Sequence, residues 1–596
     1  MVTNTPSVEK SLHDLDVKGQ DIEHREDNPD ATGSSPPDSV SVDLEYKDEN
    51  EEPVLHRRTY FALLALFLLN YTQVVALNGP PSVLTYLGKD VDGVADQTWV
   101  PNALSLVQAV GGPVISFASD TFQARKTLLV ATCTVSFIGA AIAPGAKDIY
   151  RVIVAQILIG VGFAAVPLAY AIPSEILPRK WRPLAQSLMN VAASLGAASA
   201  PLIAGALTEK STHSGWRNFY WIQMAMWGLT VIGLLVGYRP PKRHSGLDHL
   251  SLWQKIGRLD LPGMALLSGG VTLLLVGLSL GDNPWPWTSA RVMSTLVIGI
   301  ALLIAFGLYE WKGTKVGILH HDLFERRTFP LCVALMFCEG VMLFSIILFY
   351  PAVTEALFET DPFLSAARQI TFWLCSGAAT VVYGFWSSKR RTIRSPLIVG
   401  FTIFAAGLVG MATIQPGQST NAIVFDGLAG IGFAAPLILL IAGVQLSTPH
   451  HLIATATAVL TSSRAVAASV FTAIYSATVN SATSVKLPKH VAAAAIAAGL
   501  PPQYVTEFVG DLLSENSTAL ESIPGVTPAI IQAGAGGVLQ GLADSFRLVY
   551  IIAAPFGVLA CVLAYFLDDL TKLMNYRVDA PVEELHARHK AEETTA

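Results

Sequence analysis

The sequence predicts an all-α polytopic membrane protein. Only 14% of its 596 residues are charged and 52% are hydrophobic, whereas ordinary soluble domains carry about 25% charged residues. The apolar residues also gather into fourteen runs of the length that crosses a bilayer, about 20 residues. Charge is unevenly spread: of 84 Asp, Glu, Lys and Arg residues, 21 lie in 1–58 and nine in 570–596, leaving 54 for the 511 residues between. The net charge of −6 offers no basic surface for phosphate, which argues against nucleic acid as a partner. Cys133, Cys332, Cys338, Cys375 and Cys561 sit in apolar runs without ligand spacing. They predict no metal, redox or disulfide motif and no cofactor.

Taken in order, residues 1–58 hold 15 acids with Ser, Pro and Asn. They cannot bury enough apolar area to offset ordering, so a disordered acidic cytoplasmic tail is expected. The tail also lacks a cleavable signal, and the first apolar run serves for insertion. Spans are expected near 60–80, 99–119, 127–146, 149–171, 184–207 and 217–238, forming a first six-helix half over 59–240. An inserted pair follows at 261–281 and 290–311, within 241–327 with its linkers. A second half over 328–569 has spans near 329–351, 366–387, 394–414, 421–446, 453–479 and 546–569, with a long outer loop at 480–545. Residues 570–596 form a second cytoplasmic tail.

Basic residues set the orientation. With both termini in the cytoplasm, the inner segments carry 22 Lys and Arg and the outer ones ten, as the positive-inside rule requires. The outer loop contains Asn516-Ser517-Thr518, a glycosylation acceptor. Trp99, Trp216, Trp221, Trp285 and Trp287 fall near helix ends, where an interfacial aromatic belt is expected.

The chain also repeats itself. Gly160-Val161-Gly162-Phe163-Ala164-Ala165 in helix 4 recurs as Gly430-Ile431-Gly432-Phe433-Ala434-Ala435 in helix 12, 270 residues later. Ser119-Asp120 with Arg125-Lys126 recurs as Ser387-Ser388 with Lys389-Arg390-Arg391, 268 residues later. A small-residue stripe alone reads equally well as close helix packing; the shared offset favours two parallel halves, the layout of transporters that rock about a central site.

Several motifs carry a family resemblance. Pro173-Ser174-Glu175-Ile176-Leu177-Pro178-Arg179-Lys180-Trp181-Arg182 follows helix 4, and Gly215-Trp216-Arg217-Asn218-Phe219-Tyr220 opens helix 6. Phe358-Glu359-Thr360-Asp361-Pro362 follows helix 9, and Ser463-Arg464 to Tyr475 lies in helix 13. Over about 58–575 the chain resembles the major facilitator superfamily, specifically its fourteen-helix drug:proton antiporter branch, and most closely the fungal trichothecene efflux pump family. The resemblance implies two six-helix halves plus the inserted pair. It reads Gly196, Pro201 and Gly205 in helix 5 as the antiporter motif, with Ala at two of the usual glycine positions. Asp120, Arg125 and Lys126 after helix 2, with Glu175, Arg179 and Arg182 after helix 4, read as a conformational latch; a plain surface ion pair is the alternative for Asp120. In the first half this sequence departs from the antiporter pattern, with Asn70 where an Asp is usual and Gln156 where an Arg is usual.

Ionisable residues within spans are costly and are functional candidates. Glu339 in helix 9 is the leading candidate for proton coupling, with Arg464 in helix 13 and Asp426 in helix 12 as the other deep charges. The alternative is a static Glu339–Arg464 pair, and whether the two face each other is not legible. Asn70, Gln73, Gln108, Gln156, Tyr170 and Asn190 are candidates to line a substrate cavity, although each would serve equally to bond a neighbouring helix. The expected function is a monomeric, non-enzymatic exporter of amphipathic small molecules (toxins, drugs or secondary metabolites) in exchange for protons, in the plasma membrane, with the vacuolar membrane as the alternative. Membrane lipid surrounds it. A siderophore-iron:proton symporter of the same fold is the rival.

Overall fold

The structure is a computed structural model. It describes residues 46–587, apart from 95, 212–213, 241–253, 255–258, 282–284, 315–316, 360 and 515–516. The first half comprises α1 (Arg57–Ser82), α2 (Trp99–Phe122), α3 (Arg125–Ile142), α4 (Ile149–Phe163), α5 (Val166–Ile176), α6 (Arg182–Lys210) and α7 (Gly215–Gly237). The inserted pair is α8 (Leu261–Leu280) and α9 (Ala290–Lys312). The second half comprises α10 (Thr328–Leu357), α11 (Pro362–Arg390), α12 (Arg394–Ala412), α13 (Ser419–Ser447), α14 (Ile453–Ala497) and, after α15 (Val505–Leu513), α16 (Pro528–Tyr565).

Local sequence explains the breaks. Pro80 and Pro81 close α1, and Pro144 stops the chain just past α3, because a proline cannot donate to the preceding turn. Gln123 leaves α2 in the left-handed region at φ 52°. Asp361 caps α11 by accepting the N–H groups of Phe363 and Leu364 at 2.8 and 3.2 Å. One span is broken into α4 and α5 at Ala164-Ala165, where Pro167 enters the first turn of the new helix.

Thirteen of the described spans are long and apolar enough to cross a membrane. Helix α11 covers the remaining expected span, 366–387, with 29 residues. It contains Arg368, Gln369, Ser376, Thr380, Ser387 and Ser388 and falls outside that apolar set. Its position fits this mixed character: α11 packs against α6 of the first half and α13 of the second, while Leu374, Val381, Val382 and Phe385 form an exposed apolar face.

The halves meet along two seams, α2 against α14 and α6 against α11. The inserted pair packs on this body through α8, which touches α2 and α14. Within each half the repeated glycines make equivalent close approaches. A Cβ on Gly160 would meet Val107 of α2 at 2.9 Å, and one on Gly430 would meet the Phe372 backbone of α11 at 2.3 Å. A Cβ on Gly162 would strike Ser136 of α3, and one on Gly432 the Phe404 backbone of α12, each at 2.2 Å. Both motifs therefore press one helix onto two neighbours in the same arrangement.

Two expectations change. The region 480–545 is largely helical: α14 runs on to Ala497 and α16 begins at Pro528, with Val491, Ala495, Leu500, Phe508, Leu520, Ile523 and Ile530 forming a separate small core. An alanine-rich stretch, Val491 to Ala498, favours continued helix once a partner covers one face. Nor are 46–58 and 570–587 solvated throughout: they pair through isolated bridges, Tyr46 with Val578 and Pro53 with Ala587. Residues 1–45 and Asn516 lie outside the described residues.

Overpacking a tight crossing costs about 1–3 kcal/mol. Gly432→Ala should lose that much in thermal denaturation of the detergent-solubilised protein, because its obstacle is backbone. Gly162→Ala should lose a comparable amount, because the Ser136 hydroxyl in its way accepts the Gly162 N–H and donates to the Ile159 carbonyl, both at 2.9 Å.

Candidate functional site

The end of the bundle that carries residues 46–56 and 566–587 is called here the tail end. At this end the first half reaches across the α2/α14 seam through Asp120. Its Oδ2 accepts the backbone N–H and the hydroxyl of Thr455, both at 2.7 Å, in the first turn of α14. A carboxylate suits that place because the free N–H groups of a helix start carry partial positive charge. Arg125 bridges Asp120 at 3.0 Å and Glu175 at 2.5 Å, and all three side chains are buried. Lys126 takes no part: its Nζ donates to the Leu235 carbonyl at 2.9 Å.

Arg179 and Arg182 take a different acid from the one beside them in sequence. Arg179 Nη2 lies 2.6 Å from Asp579 Oδ1, and Arg182 Nη2 lies 2.5 Å from Asp579 Oδ2. Arg182 also donates to the Ser174 carbonyl at 3.1 Å and, across the seam, to the Gln445 carbonyl of α13. Gln186 donates to Tyr170 O, Ser174 Oγ and Gln445 Oε1 at 2.8, 2.7 and 3.2 Å. Along α6/α11, Ser187 donates to the Thr380 carbonyl at 2.9 Å, and Asn190 reaches Ser376 at 3.5 Å. The tail end is closed.

Deeper in the second half, Arg464 Nε donates to Glu339 Oε2 at 2.8 Å, and its Nη2 approaches Met336 Sδ at 3.1 Å. Glu339 is fully buried, and its Oε1 has no hydrogen-bond partner among the described residues. The pair therefore exists, with one carboxylate oxygen left over.

Between the halves, toward the other end, lies a cavity of about 50 Å³ lined by Asn78, Ala197 and Pro201 of the first half and by Tyr350, Gln369, Trp373 and Asp426 of the second. Asp426 is 0% exposed, and neither of its oxygens forms a hydrogen bond among the described residues. Tyr350 and Tyr550 also have buried hydroxyls without partners. A carboxyl so placed must be protonated or find a cation, because an isolated buried charge is expensive. In the antiporter motif, Gly196 faces the Tyr71 carbonyl, which an added Cβ would meet at 2.9 Å, whereas Gly205 has open space. Pro201 lies in the cavity wall. A larger cavity, about 170 Å³, separates α8 and α9 from α2 and α14, and Ser462 is the one hydroxyl residue in its otherwise apolar lining.

The cavity residues anticipated from polarity fall mostly elsewhere. Gln73 donates to the Gly162 carbonyl at 2.9 Å and Gln156 to the Tyr220 hydroxyl at 2.8 Å, both within the first half. Asn70 is buried there as well, Gln108 is half-buried on α2, and Tyr170 and Asn190 belong to the closed seams. Sequence reading missed Gln445, Thr455, Asp579, Tyr350 and Gln369. The intramembrane glutamines were visible signals; nothing local marks Thr455 or Asp579.

Asp579 lies beyond the last span. Burial alone would raise its carboxyl, but Arg182 and Arg179, with His450 nearby, hold it below the ordinary value. The sign follows: a depressed folded-state value stabilises above the unfolded value, about 3.9, and the contribution fades only as pH falls through the folded one. The stability difference between wild type and Asp579→Asn should therefore persist from about pH 8 to 5 and close below about pH 4, read as melting temperatures across that range.

Residues 48–595 match the fungal trichothecene efflux pump family (TRI12). The chain is 23% identical to the trichothecene efflux pump TRI12 of Fusarium sporotrichioides, covering 89% of each. It is 23% identical to the MFS-type efflux pump LUC4 of a Fusarium species, covering 92% of this chain and 94% of that one, and 24% identical to the MFS-type transporter ucsD of an Acremonium species, covering 86% and 84%. Among solved structures, the proton:xylose symporter XylE shares the fold with a TM-score of 0.52 at 13% identity, over 86% of this chain and 98% of that one. The two halves, the repeated helix contacts and this match across nearly the whole described length agree: the chain is a multi-pass membrane transporter, not an enzyme, and belongs to the fungal trichothecene efflux pump family of the major facilitator superfamily.

Proposed function

We propose that the protein exports amphipathic small molecules across the plasma membrane in exchange for protons, with its tail end in the cytoplasm. The observation that carries this reading is the inter-half cavity, where a buried carboxyl without a partner, Asp426, sits among aromatic and aliphatic walls. Phe372, Trp373, Ile346 and Ile347 offer an apolar surface, while Asn78, Gln369 and Tyr350 offer a few hydrogen-bonding groups. That mixture suits a largely apolar solute with scattered oxygens. Relatives named as efflux pumps support the outward direction.

At about 50 Å³ the cavity has room for about three to five waters, far below the 300 Å³ or more of a ligand pocket. Substrate must therefore enter a more open form. With the tail end held shut by Asp120, Arg182 and Gln186, loading from the cytoplasm requires those contacts to part, and release requires the halves to separate at the opposite end.

Glu339 couples this motion to protons. Protonation removes the charge that holds Arg464, and Arg464 lies on α14, the helix whose first turn Asp120 grips. Proton release at the cytoplasmic side restores the pair and returns α14 to its closed seat. Asp426 is the second ionisable group and lies in the cavity itself, where a proton and a substrate polar group compete for it.

The test is flux of a trichothecene from proteoliposomes under an imposed pH gradient. Wild type should accelerate with the gradient. Glu339→Gln should lose at least about tenfold of the gradient-driven rate, equivalent to about 1.4 kcal/mol, yet retain exchange at equal pH. Flux indifferent to both the gradient and the substitution would sink the coupling role.

A further inference from the structure

Residues 566–583 cross the tail end from one half to the other. After α16, the first part is fastened to the second half. Leu567, Leu570 and Met574 are buried, Arg394 donates to the Leu567 carbonyl, Arg327 Nε donates to Asp568 at 2.9 Å, and Thr571 Oγ1 donates to the Arg391 carbonyl at 3.2 Å. The next part is fastened to the first half. The Lys180 N–H donates to Asn575 O at 2.8 Å, the Arg179 N–H to Arg577 O at 3.0 Å, and the Ala580 N–H to Glu175 O at 2.9 Å. Tyr46 and Val578 exchange backbone bonds at 3.3 and 3.1 Å. Glu583 then accepts the His56 N–H at 2.8 Å and the Thr59 hydroxyl at 2.5 Å.

We propose that residues Glu175–Arg182 form a peptide-docking groove whose occupant is the chain's own segment 575–583, and that this strap locks the halves together at the tail end and resists its opening. Main-chain pairing along an extended segment is how a groove recognises a peptide with little regard to its side chains. Here one side chain adds specificity: Asp579, buried, is shared by Arg179, Arg182 and, at 3.7 Å, Arg577. Arg182 also reaches Gln445 of the second half, so the guanidinium that holds the strap belongs to the seam as well.

The connection leaves little slack. Thr571 bonds to the second half and Asn575 to the first, and the three residues between them are drawn into a turn, with the Leu573 and Met574 N–H groups donating to Leu570 O at 2.9 and 3.2 Å. An extended residue spans at most about 3.6 Å. An opening of about 10 Å must therefore pull this turn straight, drawing Met574 from its buried seat, or free the strap from one half. The lock depends on the two-half architecture and on neither the transported molecule, the coupling ion nor the direction, so it stands or falls separately from the export reading.

The test uses the full chain in detergent, with the half-buried Cys375 and Cys561 changed to alanine and Ser187→Cys as a reporter on the closed α6/α11 seam. Maleimide labelling of that cysteine reads opening of the tail end. Asp579→Lys should speed labelling by about tenfold or more, because a buried pair is replaced by repulsion. In a second variant, Lys180→Cys with Tyr576→Cys is bridged by a reducible bis-methanethiosulfonate linker. Labelling at position 187, read on its own tryptic peptide so that the thiols at 180 and 576 do not count, should then fall below the rate of the unbridged variant. It should return once dithiothreitol has cut the linker and been removed, which also shows that the variant is folded. Labelling unchanged by Asp579→Lys, or a bridged strap that leaves the reporter as accessible as before, would overturn the proposal.

Discussion

Arg182 is the contact on which the closed form depends. Its guanidinium touches the first half at Ser174, the second half at Gln445 and the chain's own end at Asp579. A guanidinium stays charged throughout the physiological range, and this one is nearly fully buried. It has no neutral form to retreat to, so every arrangement of the bundle must provide it with acceptors. That requirement turns three otherwise separate elements into one assembly. It also explains why the polar residues around it, Gln186, Gln445 and Ser174, form a connected network.

The carboxylates play the opposite part, because they can be neutralised. Asp120 has both oxygens engaged, by Thr455 and Arg125, at a helix start. Glu339 has one oxygen paired and one free, while Asp426 has neither paired. The three form a graded series from structural to labile. Asp120 bridges the halves, Glu339 lies within the second half, and Asp426 lines the cavity between them.

The bundle's symmetry has a plain packing origin. The paired glycine motifs let one helix of each half sit against two neighbours at backbone contact. Tight contacts of this sort resist deformation, so each half is a closely packed body. The seams are correspondingly different in character, held by hydrogen bonds across short polar side chains at Ser187, Asn190 and Gln186 that can be broken and remade.

Much of this was legible in the chain itself. Hydropathy and charge placement determined the class, the spans and the two polar ends, because lipid forces every exposed backbone group into a helix and every long apolar run into a span. The glycine repeat determined that two halves exist, since backbone approach leaves a mark in residue size. Buried charge picked out Glu339, Arg464 and Asp426 for the same energetic reason. What only the tertiary structure decided is who partners whom. Glu175 turned to Arg125, Asp579 crossed about 400 residues to reach Arg179 and Arg182, and Gln73 and Gln156 became internal ties while Tyr350 and Gln369 came to line the cavity. Hydrogen bonds and ion pairs act over about 3 Å, and such proximity between distant segments is created by helix packing alone.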